Sequence, residues 1–183
     1  FLDIQKSENK ISDTIMYRDS PLFIDPRNKK LGARIVSTLE KLHLTIKKLK
    51  LNIIEPDIYF VNAHSLGIPI KGVENLKDQL FGLEANFENL QAIDFKKGCY
   101  IGQENTARMK LKNKLRRRLF PIKSNRKLNL GEELIFNDSV IGKVLINEPF
   151  CFALIKLYNP DFEEFKNKEI SSKSCKVNII DIQ

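Results

Sequence analysis

Beyond Lys114 the hydrophobic pattern of this chain changes period, from the three-and-four spacing of helices to the alternation of strands. Short segments at Leu115 to Ile122, Glu133 to Phe136, Val140 to Ile146, Phe150 to Leu157 and Cys175 to Ile180 read as strands. Asn137-Asp138-Ser139 and Asn147-Glu148-Pro149 supply turns between them. The pattern predicts a small antiparallel β unit, with a boundary near Ile122 to Asn125 that divides the chain into residues 1–122 and 123–183.

The first part reads differently. Residues 1–20 are polar, with Ile4, Ile11 and Ile15 as isolated apolar points, and predict short strands or loop. Pro21 to Ile24 forms a brief strand that runs into Asp25-Pro26-Arg27, where proline keeps Asp25 out of helix; Leu31 to Val36 follows as a second strand. Leu39, Leu42, Ile46 and Leu49 mark an amphipathic helix over Ser37 to Leu51, capped by Ser37 or Thr38 with Glu40 in its first turn. A second helix starts near Glu55-Pro56-Asp57 and stops before Gly67-Ile68-Pro69. Leu80 to Ala92 is open between helix and irregular structure, Ile93 to Phe95 reads as a strand, and Gln103 to Lys110 suits a helix.

Composition narrows the class. In 183 residues, 42% are hydrophobic, 30% charged and twelve are Phe, which suits a globular chain and excludes disordered or collagen-like ones. No apolar run reaches the ~18 residues of a membrane span. Three cysteines, Cys99, Cys151 and Cys175, make neither a disulfide framework nor a zinc site, so a reducing compartment fits. The chain opens Phe-Leu-Asp-Ile without a secretory pattern and reads as a fragment or processed end of something longer. Net charge is +8; residues 110–118 hold six cations and no acid, leaving +2 elsewhere. That concentration argues for one defined basic segment rather than a nucleic-acid-coating surface.

Cys99 is the most informative residue. Gly98 and Gly102 flank it, Lys96 and Lys97 precede it and a helix start follows, so cations, exposure on a turn and the helix dipole all favour its thiolate. The competing reading is a small buried apolar residue, the state expected of Cys151 within Phe150 to Leu154. Gly98 and Gly102 allow Tyr100 and Ile101 to form a tight loop with amides facing a ligand, or an ordinary strand-to-helix turn; the segment is neither a P-loop nor a dinucleotide fingerprint. Gln103 and Glu104 can hydrogen-bond a heterocycle or simply favour the helix start. Lys114, Arg116 and Arg118 alternate with Leu115, Arg117 and Leu119, which gives a strand one basic and one mostly apolar face: either a site for phosphate, polyglutamate or an acidic partner, or a solvated surface. His43 and His64 read as structural or surface residues. Asp25 can tie the Asp25-Pro26-Arg27 loop, leaving Arg27 to pair with an anion, or the three residues form a simple turn.

Lys97-Gly98-Cys99-Tyr100-Ile101-Gly102-Gln103-Glu104, followed by Thr106-Ala107-Arg108, resembles the K-G-C-[FY]-x-G-Q-E signature of the YgfZ family, the folate-binding relatives of the glycine-cleavage T protein, GcvT, an aminomethyltransferase. Asp25-Pro26-Arg27 with Leu31-Gly32 and Arg34 is similar to its D-P-R…L-G-x-R segment, Gly67-Ile68-Pro69 to its G-I-P and Leu83-Glu84-Ala85-Asn86 to its L-E-A-N. The likeness covers roughly Leu22 to Leu157. Where the family carries an Arg before G-I-P this chain has Ala63 and His64, and Asn113 stands where a turn glycine is expected. Family members extend further at the amino terminus, where much of the folate pocket lies.

The resemblance implies an α+β chain: an incomplete GcvT-like folate-binding domain over 1–122, followed by a small antiparallel β-barrel over 123–183. It implies a folate-binding accessory factor for assembly or repair of [4Fe-4S] proteins, including tRNA-modifying enzymes, more a maturation factor than an enzyme. Cys99 would be a redox residue or transient cluster ligand, shared with a partner because a cluster needs about four thiolates. Lys97, Gly98, Tyr100, Gly102, Gln103, Glu104 and Arg108 would shape or line the site for tetrahydrofolate or a folate derivative. Implied partners are folate, iron-sulfur carrier or scaffold proteins and client [4Fe-4S] enzymes, with no membrane and no direct nucleic acid. The alternatives are a tetrahydrofolate-dependent one-carbon transferase of the aminomethyltransferase kind and an RNA-binding module using Lys110 to Arg118. Lysine-, isoleucine- and asparagine-rich usage favours a bacterial cytoplasm, with the mitochondrial matrix as the alternative.

Overall fold

Two adjacent residues with positive φ, Arg18 and Asp19, turn strand β1 (Thr14–Tyr17) back onto β2 (Ser20–Ile24). Left-handed geometry at both central positions matches the right-handed strand twist, so the hairpin closes in two residues. The structure is a computed structural model that describes residues 14–112, 115–173 and 175–182; Ile4, Ile11, Asn113 and Lys114 lie outside them. It divides into two units, Phe1–Tyr59 and Phe60–Gln183.

In the first unit β3 (Ala33–Ile35) completes an antiparallel sheet of order β1-β2-β3. The strand is shorter than its hydrophobic pattern suggests because Lys29–Leu31 forms a 3₁₀ turn, with the Asn28 side chain accepting from the Lys30 amide at 3.0 Å. Helix α1 (Leu39–Leu49) is capped by Thr38, which accepts from the Lys41 amide, and ends at Lys50 in the left-handed conformation. Helix α2 (Pro56–Ser65) has proline at its first position.

In the second unit, the buried His64 near the end of α2 organises the chain that follows. Its Nε2 accepts from the amides of Ile70 at 3.0 Å and Lys71 at 3.1 Å, which places the proton on Nδ1, the donor to the Phe150 carbonyl at 3.0 Å. Residues 79–92 are a succession of turns, with Asn86 and Gln91 at positive φ. The strand expected at Ile93 to Phe95 does not form: the Asp94 carboxylate accepts from the Lys96 amide at 2.8 Å and curls the chain into an Asx turn. Helix α3 (Gln103–Leu111) starts after Gly102, whose φ of +84° favours glycine.

The rest is a closed antiparallel barrel of β4 (Arg117–Ser124), β5 (Glu133–Phe136), β6 (Ser139–Ile146), β7 (Phe152–Lys156), β8 (Ile170–Ser172) and β9 (Lys176–Ile179), in the order β4-β7-β6-β5-β8-β9. Closure leaves no unpaired strand edge. Phe120, Ile122, Leu134, Ile141, Ile155 and Val177 belong to one buried cluster, to which the short helix α4 (Phe162–Phe165) adds Phe162, stacked 4.8 Å from Phe120. Leu119, Phe152 and Leu154 belong to a second cluster, packed against Leu76 and Leu80. Each fully buried large side chain contributes about 1.5–3 kcal/mol.

Burial holds the His64 imidazole below its ordinary pKa. The unfolded chain therefore takes up the proton first, and stability falls as pH drops below about 6.5. His64→Gln is expected to lose about 2 kcal/mol at neutral pH, by leaving backbone groups unpaired, and to flatten the decline toward about pH 5.5, as read by urea unfolding at the two pH values.

Candidate functional site

The site is built on Glu84, a buried carboxylate in the turn-rich segment before α3. Its Oε1 accepts from Arg117 Nε at 3.0 Å, and its Oε2 accepts from Arg117 Nη2 at 3.2 Å and from the Phe81 amide at 2.9 Å. The backbone joins in: the Leu119 amide donates to the Glu84 carbonyl at 2.8 Å, and Asn86 Nδ2 donates to the Leu119 carbonyl at 2.7 Å. Two members of the Leu83-Glu84-Ala85-Asn86 motif thus fasten an irregular segment to the first barrel strand.

Beside this junction lies an open cleft of about 880 Å³ lined by Phe81, Glu84, Met109, Arg116, Arg117, Lys156, Tyr158 and Asn159. Phe81 and Tyr158 contribute aromatic rings to the wall, and Arg116 and Lys156 contribute positive charge, with Lys156 Nζ donating to the Val140 carbonyl at 2.8 Å. Glu84, Lys156 and Tyr158 were not singled out as ligand residues from the sequence. The available signal was Arg117 on the apolar side of its strand, because an arginine there needs a carboxylate partner.

The basic run is dispersed. Lys110 Nζ pairs with Glu88 Oε1 at 2.5 Å and lies 5.5 Å from the Phe95 ring centroid. Arg117 turns to Glu84, Arg118 is half-buried, Arg116 lines the cleft, and Lys112 lines a different cavity. The cations therefore form no continuous stripe among the described residues. Burial also pulls the Arg118 guanidinium below its ordinary pKa, against the carboxylates of Asp181 and Glu88.

Cys99 is exposed, whereas Cys151 and Cys175 are partly buried. Residues 96–102 carry it on a non-helical loop before α3, on which Ile101 is fully exposed at 103%. Gln103 Oε1 accepts from the Tyr100 amide at 3.1 Å, tying the loop to the first turn of α3. Lys97 Nζ lies 5.6 Å from the Tyr100 ring centroid, and Gly98 has open space where a Cβ would sit. Gln103, Glu104 and Arg108, with Ala107, Leu111 and Lys112, line a cavity of about 520 Å³ on one side of α3. Met109, on the opposite side by helical spacing, lines the larger cleft. No side chain from 97–102 lines either cavity.

The Asp25-Pro26-Arg27 segment forms its own cluster in the first unit. Arg27 grips the buried Asp25 with Nε at 3.0 Å and Nη2 at 2.8 Å, and Arg34 Nε adds a contact at 2.6 Å. Both arginines also donate from Nη2 to the Tyr59 hydroxyl. Arg27 is thus bound to Asp25 itself, and its hydrogen bonds hold that carboxyl down at about 2. The Asp25 amide donates to the Gly32 carbonyl at 2.9 Å, with Gly32 at a φ of +80°.

Comparison with known proteins finds similar sequences among iron-sulfur cluster assembly factors. The chain is 35% identical over 103 residues to the mitochondrial iron-sulfur cluster assembly factor IBA57 homolog of Dictyostelium discoideum, covering 55% of this chain and 25% of the relative. It is 28% identical over 160 residues to the Neurospora crassa homolog, covering 86% and 33%. It is 33% identical over 117 residues to the mitochondrial IBA57 of Mus musculus, covering 63% and 30%. IBA57 is the eukaryotic counterpart of YgfZ, so these homologues accord with the resemblance found in the sequence. The chain spans about a quarter to a third of the length of these relatives. No family model matches it.

Burial pushes the Cys151 thiol up from its ordinary pKa, and its Sγ donates to the Asn147 carbonyl at 3.3 Å. Cys99 is therefore expected to be alkylated by iodoacetamide about tenfold or more faster than Cys151 at neutral pH, as read by mass-spectrometric mapping of partial labelling.

Proposed function

We propose that this chain serves iron-sulfur cluster assembly as part of a GcvT-like, folate-binding accessory factor, with Cys99 as a thiol shared with the partner that carries the cluster. The likeness to IBA57 relatives, which reaches 86% of this chain, carries the reading. The exposed Cys99 suits it: a cluster takes about four thiolates, and in this reading the remaining ligands come from iron-sulfur carriers, scaffolds or client enzymes. Clients in this reading are [4Fe-4S] enzymes, including those that modify tRNA. The mitochondrial names of the relatives favour the matrix over a bacterial cytoplasm.

The larger cleft supports the folate part of this reading. Its volume lies in the range of small-molecule sites, Phe81 and Tyr158 offer faces for a flat heterocycle, and Arg116 and Lys156 suit the carboxylates of a glutamate tail. Lys97, Gly98, Tyr100, Gly102, Gln103, Glu104 and Arg108 shape the adjoining loop and helix. Glu84 is held by Arg117 and the Phe81 amide, which favours a binding role over general-base turnover. The dispersal of the cations weighs likewise against an RNA-binding face.

In cells lacking the native protein, Cys99→Ser is expected to lower client [4Fe-4S] enzyme activity about tenfold or more at unchanged protein level. Wild-type client activity in that variant would refute the role of the thiol. For the folate, Arg116→Ala with Lys156→Ala is expected to weaken tetrahydrofolate binding about tenfold or more by titration calorimetry. Loss caused instead by Gln103→Ala or Arg108→Ala would move the ligand to the other side of α3.

A further inference from the structure

Between Asn86 and Leu119 no described side chain is buried, although the stretch includes the nine residues of α3. Bonds from this helix run to its own neighbours in the chain: Gln103 Oε1 accepts from the Tyr100 amide, and Lys110 Nζ pairs with Glu88 and stands over the Phe95 ring. Met109 of α3 shares the cleft of about 880 Å³ with Phe81 and with Arg117 and Lys156 of the barrel. A helix that meets its scaffold across an open cleft, without a buried side chain of its own, separates from it at low free energy. The loop carrying Cys99 follows the helix, because the bond between Gln103 and Tyr100, and Gly102 at its φ of +84°, join the two within one turn.

We propose that a folate seated in this cleft fastens α3 to the barrel through Met109 and so orders the loop that carries Cys99. This fastening rests on the folate reading above: in it the ligand is a packing element that controls presentation of the thiol, and no covalent step is required of it. The cleft supplies both ends of the fastener. The carboxylates of a glutamate tail pair with Arg116 and Lys156 on the barrel side, while the ring system meets Phe81, Tyr158 and Met109, whose thioether packs well against an aromatic edge. Only the closed arrangement of α3 brings Met109 to the ligand, so binding favours that arrangement by the difference in affinity between the two. A cysteine on an ordered loop then meets a partner with less entropy left to lose.

The test uses the 183-residue chain and 5-formyltetrahydrofolate, a reduced folate that is stable without added thiol, with titration calorimetry for binding and amide exchange by mass spectrometry for order. Expected at saturation is exchange slowed about tenfold or more over residues 94–111, with exchange over α1 in the first unit unchanged. Met109→Ala should still bind, yet at its own saturation slow exchange there by less than about twofold. Leu111→Ala, exposed and lining the smaller cavity on the other side of α3, should keep the full effect. An unchanged circular dichroism spectrum checks the fold of each variant. Binding that leaves exchange at 94–111 unaltered would overturn the fastening and leave the folate reading standing, whereas no binding up to about 1 mM would overturn both. Slowing that survives Met109→Ala would overturn the fastening, and slowing lost on Leu111→Ala instead would place the ligand in the smaller cavity and overturn it too.

Discussion

A carboxylate taken out of water must recover its hydration from the protein, and Glu84 does so from one arginine and one backbone amide. The rest of the second unit depends on that exchange. Residues 79–92 form no long helix or strand and so lack a repeating internal ladder to hold their shape. Their turns close on backbone bonds of their own, such as Ala85 to Phe81 and Leu90 to Asn86, and the bonds to Leu119 and Arg117 fasten them to the first barrel strand. With Glu84 in place, Phe81 and the half-buried Arg117 both stand at the cleft. Removing the carboxylate would strand a partly buried guanidinium and loosen the segment that leads toward α3. The junction is not fully satisfied: Asn86 Oδ1 is buried without a hydrogen-bond partner, so its Nδ2 bond to Leu119 offsets the desolvation of the other end of the amide.

The same strand explains why adjacent arginines behave differently. Side chains alternate across a strand, and Phe120 and Ile122 belong to the larger barrel cluster, so Arg118 shares their side while Arg117 shares the side of Leu119. Arg118 Nε is buried with no hydrogen bond, and its charge is offset by Asp181 and Glu88. Alternation was legible in the sequence, but it sorts residues into two sides without saying that both are covered. A barrel strand with packed elements on its outer surface has no solvated side over its central residues, and the expected basic face is divided accordingly.

Local chemistry was legible where it acts within a few residues. Thr38, Pro56 and the Asn137-Asp138 turn mark their elements because caps, first-turn prolines and left-handed turn residues act within one turn of chain. Strand β8, three residues long, and helix α4, four residues long, are too short to express a period, and both stayed hidden. Ile93 to Phe95 misled because an apolar-polar-apolar triplet looks like a strand, whereas Asp94 satisfies a backbone amide locally and has no neighbouring strand to join. The cleft was hidden for a different reason. Phe81 and Tyr158 come together only through the long-range closure of the barrel and its junction with Glu84, and no local pattern encodes that.

The three cysteines show how packing decides reactivity before charge does. Cys151 packs against the barrel core and donates to a backbone carbonyl, and Cys175 sits in a turn held by the Ser172 hydroxyl, so both are less open to an approaching group than Cys99. Cys99 stands on a loop fastened at one end by Gln103, with Ile101 free in solvent and open space at Gly98. Gly102 is required by its backbone angle, but no left-handed geometry and no neighbouring atom demands a glycine at 98. In the proposed role a small residue there keeps the approach to the sulfur clear. A partner's thiolates and metal could then reach Cys99 with little cost to the barrel, because the loop buries no core side chain that would have to move.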